Sequence, residues 1–148
     1  MAAFLIFLTL AVLLLWAIYV EPRAFRITRH QIQIRKPLLK PLRILHLSDT
    51  HFSGYSLTLS RFFDRLSREN FDFVFITGDI IDCNDGIPYA AENIAKLRPA
   101  HGTFAVLGNH DYYDYQLPDT FKGFTGYGYH PESRQDHERL KDALKAAG

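Results

Sequence analysis

Cysteine occurs once in the 148 residues, at Cys83, so no intrachain disulfide can form, as suits a reducing compartment. No group in the sequence is placed to activate that thiol, which leaves Cys83 as a small, half-buried filler. Charge of one sign is also missing: 17 Lys and Arg stand against 16 Asp and Glu, a formal net charge of +1. That balance gives no global electrostatic footprint for a nucleic-acid partner, and none is expected. No Lys or Arg precedes the apolar run that opens the chain, and Ile18-Tyr19-Val20-Glu21-Pro22 lacks the small residues of a cleavage site, which disfavours a removed signal peptide.

That run, Ala2 to Val20, is apolar except for Thr9. It has about the twenty residues that a bilayer-spanning helix needs, so residues 1–21 are expected to form one transmembrane anchor. Trp16 and Tyr19 fall where amphipathic rings favour the membrane interface. Arg23, Arg26, Arg29, Arg35, Lys36 and Lys40 follow, and this one-sided basic flank places the remainder on the cytoplasmic side of an inner or plasma membrane. Residues 22–41 then read as a juxtamembrane segment, with Phe25, Ile27, Ile32 and Ile34 alternating as in a half-exposed strand before a linker punctuated by Pro37 and Pro41. The same basic side chains either lie on anionic lipid or serve only as a topology signal.

From residue 42 to residue 148 short apolar runs alternate with helical periodicity. Arg43 to Leu47, Phe71 to Ile76 and Thr103 to Leu107 have the composition of buried parallel strands, and His46 inside the first reads as a satisfied core histidine. Leu59, Phe62, Phe63 and Leu66 mark a helix over 57–70; Pro88 opens a second through Leu97 and Pro99 closes it. Ser133 is the expected N-cap of a terminal helix on which His137 faces solvent. Between them, Tyr112 to Ser133 is rich in Gly, Pro and Tyr, including Phe121, Phe124, Tyr127 and Tyr129, and reads as a long loop. The order is β followed by βαβαβ, the pattern of a mostly parallel α/β sheet.

Each of the three strands runs into a loop carrying potential ligands: Ser48-Asp49-Thr50-His51, Gly78-Asp79-Ile80-Ile81-Asp82 and Gly108-Asn109-His110-Asp111. The loops are spaced by about thirty residues, the length of a βαβ unit, and loops beyond the strands' carboxyl ends line one crevice. Any one of these segments is ordinary turn chemistry. Carboxylate, imidazole and amide oxygen at three consecutive strand ends instead point to a metal site.

The sequence Asp-x-His, Gly-Asp-x-x-Asp, Gly-Asn-His-Asp over Leu42 to Asp111 resembles the calcineurin-like metallophosphoesterase superfamily. The resemblance implies an α/β/β/α sandwich, of which residues 42–148 would be the amino-terminal part. It implies a phosphodiester or pyrophosphate hydrolase with two divalent ions. Asp79 is the candidate bridging anion, Asp49 and His51 complete one ion's share, and Asn109 serves the other. Mixed oxygen and imidazole donors suit Mn, Fe or Zn over an all-oxygen Ca or Mg site. The resemblance further assigns His110 to leaving-group protonation or phosphate binding, with Asp82 orienting its ring and Asp111 as a second orienting group. Membrane-anchored bacterial members that cleave UDP-diacylglucosamine are similar in layout, which favours a lipid-linked substrate; a soluble nucleotide or phosphoprotein is the alternative. The superfamily completes its site with a later histidine and a Gly-His-x-His motif, and no residues after His110 have that form. The competing expectation is therefore a membrane-tethered fragment that binds metal incompletely, its remaining half supplied in cis or in trans.

Overall fold

The computed structural model describes residues 1–21, 24–35, 40–115, 119 and 131–148. Phe121 to Tyr129 of the expected aromatic loop, together with His130, lie outside the described residues, as do Arg23, Lys36 and Pro37. The chain divides into two units, Met1–Leu38 and Leu39–Gly148.

In the first unit, α1 (Ala2–Leu15) is continued by a π-helical segment, Trp16–Val20. Its one polar side chain satisfies itself, Thr9 Oγ1 donating to Leu5 O at 2.9 Å. The anchor expectation meets a geometric limit here. The 14 residues of α1 rise about 21 Å, against about 30 Å of hydrocarbon. No helix among the described residues is long and apolar enough to cross a membrane, because the hydrogen-bond pattern widens at Trp16 and ends the α-helix while the apolar sequence runs on. The expected opening strand is not formed: residues 24–35 carry no strand, and Ile32 and Ile34 are exposed. Alternation marks two faces, but a strand also needs a partner for its backbone groups.

The second unit is built on β1 (Ile44–Leu47), β2 (Phe73–Thr77) and β3 (Thr103–Val106), all parallel in the order β1-β2-β3. The register sets Leu47 beside Ile76 and Ile76 beside Ala105, so the three carboxyl ends lie level. The crossovers are α2 (Leu57–Leu66) and α3 (Ile87–Ala95). Ser56 caps α2 by accepting from Leu59 N, and Leu59, Phe63 and Leu66 recur at helical spacing on its buried side. A 3-10 turn, Asn84–Gly86, feeds α3, whose first turn contains Pro88. A short helix, α4 (Asn109–Tyr112), follows β3, and α5 (His137–Ala147) closes the described chain.

The cap of α5 is Asp136, whose side chain accepts from Arg139 N, and not Ser133. Arg134 forms an antiparallel bridge with Tyr113, so the chain is still extended there and the helix starts later. His137 is not a free surface residue either, its ring lying 5.0 Å from that of Tyr112.

One face of the sheet is covered. Leu47, Val74 and Ile76 are buried with Phe63, Leu66, Ile87, Ile94 and Leu140 from the helices and Phe52, Ile80 and Ile81 from the strand-end loops. Each such side chain contributes about 1.5–3 kcal/mol on burial. On the other face Phe75 stacks on Phe104 with centroids 5.6 Å apart, and Ile44, Phe75, Phe104 and Val106 are exposed. β1 and β2 are therefore buried on one side only and β3 has no buried residue, contrary to the expectation from their composition. His46 shares this open face and is exposed, its Nε2 paired with Thr77 Oγ1 at 2.7 Å. The architecture is α/β, with one sheet of the expected sandwich among the described residues.

Candidate metal centre

The parallel ladder does not stop at the strand ends. Asp49 N donates to Gly78 O, His51 N to Asp79 O and Phe52 N to Ile80 O at 3.2, 3.0 and 2.8 Å, tying the first loop along the second. This zippering requires Asp49, His51 and Asp79 to take left-handed backbone angles, with φ of 54°, 47° and 48°. Among the described residues the only other non-glycine of that kind is Arg98. Such conformations cost an L-residue about 1–2 kcal/mol and collect where function over-determines the backbone.

The third loop is pressed onto the second through glycines. A Cβ on Gly78 would stand 3.1 Å from Gly108 Cα, and one on Gly108 would stand 2.6 Å from Asp79 N and collide with the Asp79 carboxylate. Asp111 then locks the two loops together. Its Oδ1 accepts from the amides of Ile80 and Ile81 at 2.8 and 2.9 Å and its Oδ2 from that of Gly108 at 2.8 Å. The residue is fully buried. Asp111 is thus a backbone brace, which corrects its expected place beside His110: the carboxylate is consumed by three amides. Burial pushes its pKa up and the charge of Asp79 adds to that, against the three amide bonds that pull it down.

The side chains left facing the crevice converge. Asp79 Oδ1 accepts from His110 N at 3.0 Å. The Ser48 hydroxyl touches the Asp49 carboxylate and lies 3.1 Å from Thr77 O. His51 Nδ1 is 2.6 Å and His110 Nδ1 3.8 Å from the same oxygen, Asp82 Oδ1, and the two imidazole rings meet edge to face at 5.0 Å. Asp82 therefore pairs more closely with His51 than with His110. Its hydrogen bond is the main reason the His51 pKa is raised, desolvation opposing it and the charges of Asp82, Asp79 and Asp49 adding to it.

Two overlapping groups result, Asp49/His51/Asp79 and His51/Asp82/His110, each with donor atoms within 4.8 Å of one another. Carboxylates gathered this closely repel, and a divalent cation bound by mixed oxygen and nitrogen donors would relieve that repulsion. The residues fit a transition-metal ion. Asn109, exposed at the start of α4, adjoins the groups in sequence. His101 lies by Asp72 and Phe73 at the opposite end of the strands, and Cys83 Sγ donates to Ser53 O.

The family model for calcineurin-like phosphoesterases matches residues 42–144. The chain belongs to that family. Among curated calcineurin-like relatives, it is 39% identical over 79 residues to the uncharacterized metallophosphoesterase YkoQ of Bacillus subtilis, covering 51% of this chain and 29% of that protein. It is 30% identical over 98 residues to the phosphodiesterase YaeI of Escherichia coli, covering 63% and 36%. To the UDP-2,3-diacylglucosamine pyrophosphatase LpxG of Chlamydia muridarum it is 32% identical over 114 residues, covering 71% and 34%. The matched stretch thus spans about a third of these relatives' own lengths. No solved structure matches the chain.

Two further residues adjoin this calcineurin-like site, Tyr115, read from the sequence only as one of the aromatics of a long loop, and Gln135, which sequence reasoning passed over. Tyr115 lies with its ring 4.6 Å from that of His110, at the start of the aromatic segment noted above. Gln135 is buried and its Nε2 donates to Asp82 O at 2.8 Å. No sequence signal marks Gln135, because an amide between Arg and Asp reads as solvated.

Proposed function

We propose that the protein is a metal-dependent phosphoester hydrolase acting on a phosphodiester or pyrophosphate. The observation that carries this is the pair of overlapping Asp/His groups at the ends of adjacent parallel strands, with Asp49, His51 and Asp79 on left-handed backbone. Asp79 would serve both of two divalent ions, with Asp49 and His51 beside it on the first and Asn109 on the second, while the residue common to the two observed groups is His51. With Nδ1 of His51 engaged by Asp82, Nε2 is the ring nitrogen available as a ligand. When bound, the ions supply the positive charge that the developing negative charge on a phosphoester demands. His110 gives its proton to the departing oxygen, and Asp82, hydrogen-bonded to His51 and 3.8 Å from His110 Nδ1, is the carboxylate that would orient the His110 imidazole; the main-chain bond from His110 to Asp79 holds the acid beside the ligands.

The substrate we favour is lipid-linked. Phe4, Leu5, Ile6, Phe7 and Leu10 leave an apolar surface along α1, and the helical path continues through Val20. Such a surface belongs in a membrane, as a single-pass anchor with the catalytic unit on the cytoplasmic side. The pyrophosphatase named among the relatives acts on a diacylated sugar nucleotide, which supports the same choice. Protease treatment of spheroplasts tests the topology: cleavage of the catalytic unit from outside reverses it. For the reaction, Mn²⁺-dependent turnover of a chromogenic phosphodiester, abolished in Asp79→Asn, is the expected result; turnover that survives that change contradicts the proposal.

Donor count favours one alternative. Among the described residues the two groups hold two imidazoles, His51 and His110, and assigning His110 to the acid leaves one for the ions. An incomplete binder would take up one ion weakly and turn over no ester, and metal content per chain separates the two cases.

A further inference from the structure

We propose that Gln135 is a positioning residue for the Asp82–His110 pair, joining the loop that carries Asp82 to the helix that carries His110. The inference rests on the assignment of those two side chains made above. Asp82 has its N–H on Phe52 O at 3.0 Å and its carbonyl on Gln135 Nε2 at 2.8 Å. The main-chain N–H of the same Gln135 donates to the O of Tyr112, the last residue of α4, at 3.1 Å. One residue therefore grips both partners' supports, one with its side chain and the other with its backbone. At 4% exposure, it cannot exchange these bonds for water without opening the fold. Its neighbours repeat the stitch: Asp114 N donates to Ser133 O at 3.0 Å, and Asp136 N donates to Asn84 Oδ1 at 2.8 Å.

Position matters at this point because Asp82 Oδ1 stands between two imidazoles, 2.6 Å from His51 and 3.8 Å from His110. The first is a hydrogen bond and the second is just too long for one, so a shift of about 1 Å decides which ring the carboxylate serves. Asp111 braces the second loop at Ile80 and Ile81, nearer its base. Gln135 braces it at Asp82 itself. Misplacing a reacting group by about 1 Å costs up to about 100-fold in rate.

Gln135→Met keeps the length of the side chain and removes the donor, while Gln135→Glu keeps its shape and sets a carboxylate against the Asp82 carbonyl. Each is compared with the parent protein in unfolding midpoint, Mn²⁺ affinity, kcat and KM on alkyl and p-nitrophenyl phosphodiesters, and the imidazole ¹H–¹⁵N spectrum of the metal-free protein. Expected for Gln135→Met are an unchanged KM, a lowered Mn²⁺ affinity because the displaced Asp82 also holds His51, kcat at saturating Mn²⁺ lowered about 10- to 100-fold, and a larger loss on the alkyl ester, whose leaving group needs the proton more. The His110 imidazole signals should move while those of His101 stay. An unmoved His110 spectrum overturns the proposal, as does a lowered unfolding midpoint with kcat and spectrum intact, which marks a purely structural bond. If the Met variant fails to fold, the Glu variant is read by the same criteria. His110→Ala runs alongside: full turnover there removes the acid role from His110, and the Gln135 spectra still decide whether Gln135 holds the pair.

Discussion

Replacing Asp111 should damage the protein in a graded way that follows from its three amide partners. Asp111→Ala leaves the N–H groups of Ile80, Ile81 and Gly108 without their acceptor. Ile80 and Ile81 are both 0% exposed, and a buried unsatisfied donor costs about 1–3 kcal/mol, so these two alone cost about 2–6 kcal/mol. Gly108 is half-buried and recovers part of its loss from water. Removing a buried carboxylate whose pKa is pushed up by burial returns some energy and keeps the total toward the lower end. Asp111→Asn retains one oxygen for Ile80 and Ile81 and turns its NH₂ toward the Gly108 amide, which confines the cost to about 1–3 kcal/mol. Because the parent's Asp111 pKa is raised on folding, its contribution is fully present below the unfolded carboxyl value and falls away as pH rises through the folded value. The Asn variant lacks that falling limb. Urea unfolding followed by far-ultraviolet circular dichroism measures both effects against total stabilities of about 5–15 kcal/mol for such domains. An alanine variant within about 0.5 kcal/mol of the parent, in the range of an ordinary surface change, refutes the brace, and so does an asparagine variant as damaged as the alanine one.

Two further outcomes follow from neighbouring contacts. Gly108→Ala drives a methyl group to 2.6 Å from Asp79 N, so the Asp79 carboxylate must move and Mn²⁺ affinity should drop by at least about 10-fold, measured by titration calorimetry; unchanged affinity means that the loops can separate freely. The His51 pKa is raised chiefly by the Asp82 hydrogen bond, so the metal-free protein gains stability that is fully present below the unfolded histidine value and lost as pH rises through the folded one. Urea midpoints taken from about pH 5 to about pH 9 should show this decline, and Asp82→Asn should flatten it; an equal decline in that variant removes Asp82 as the cause.

The strand ends and the motif loops were legible because both are local patterns: Phe73–Thr77 lies within the run read from Phe71 to Ile76 but for its last residue, and Pro88 marks its helix by chemistry that acts within one turn. What was not legible depends on partners distant in sequence. Phe25 to Ile34 has strand-like alternation but no ladder, and composition cannot tell that one face of the sheet is left open, with Phe75 and Phe104 exposed on it. Asp111 read as a turn residue or an orienter of the adjacent His110, because its true partners lie 30 and 31 positions upstream at Ile81 and Ile80. Gln135 reaches back 53 positions to Asp82, a contact that no motif announces. Ser133 failed as a cap for the same reason: the bridge between Tyr113 and Arg134 keeps the chain extended past it.

The most direct measurement is the metal content of three purified proteins after equilibration with Mn²⁺ and removal of the free ion: the parent, Asp79→Asn and His110→Ala. With Asp79 as shared ligand and His110 outside the ligand set, Asp79→Asn should lose the metal, whereas His110→Ala should hold as much as the parent while losing turnover. A His110→Ala protein stripped of metal to the same degree as Asp79→Asn contradicts the division of roles between them.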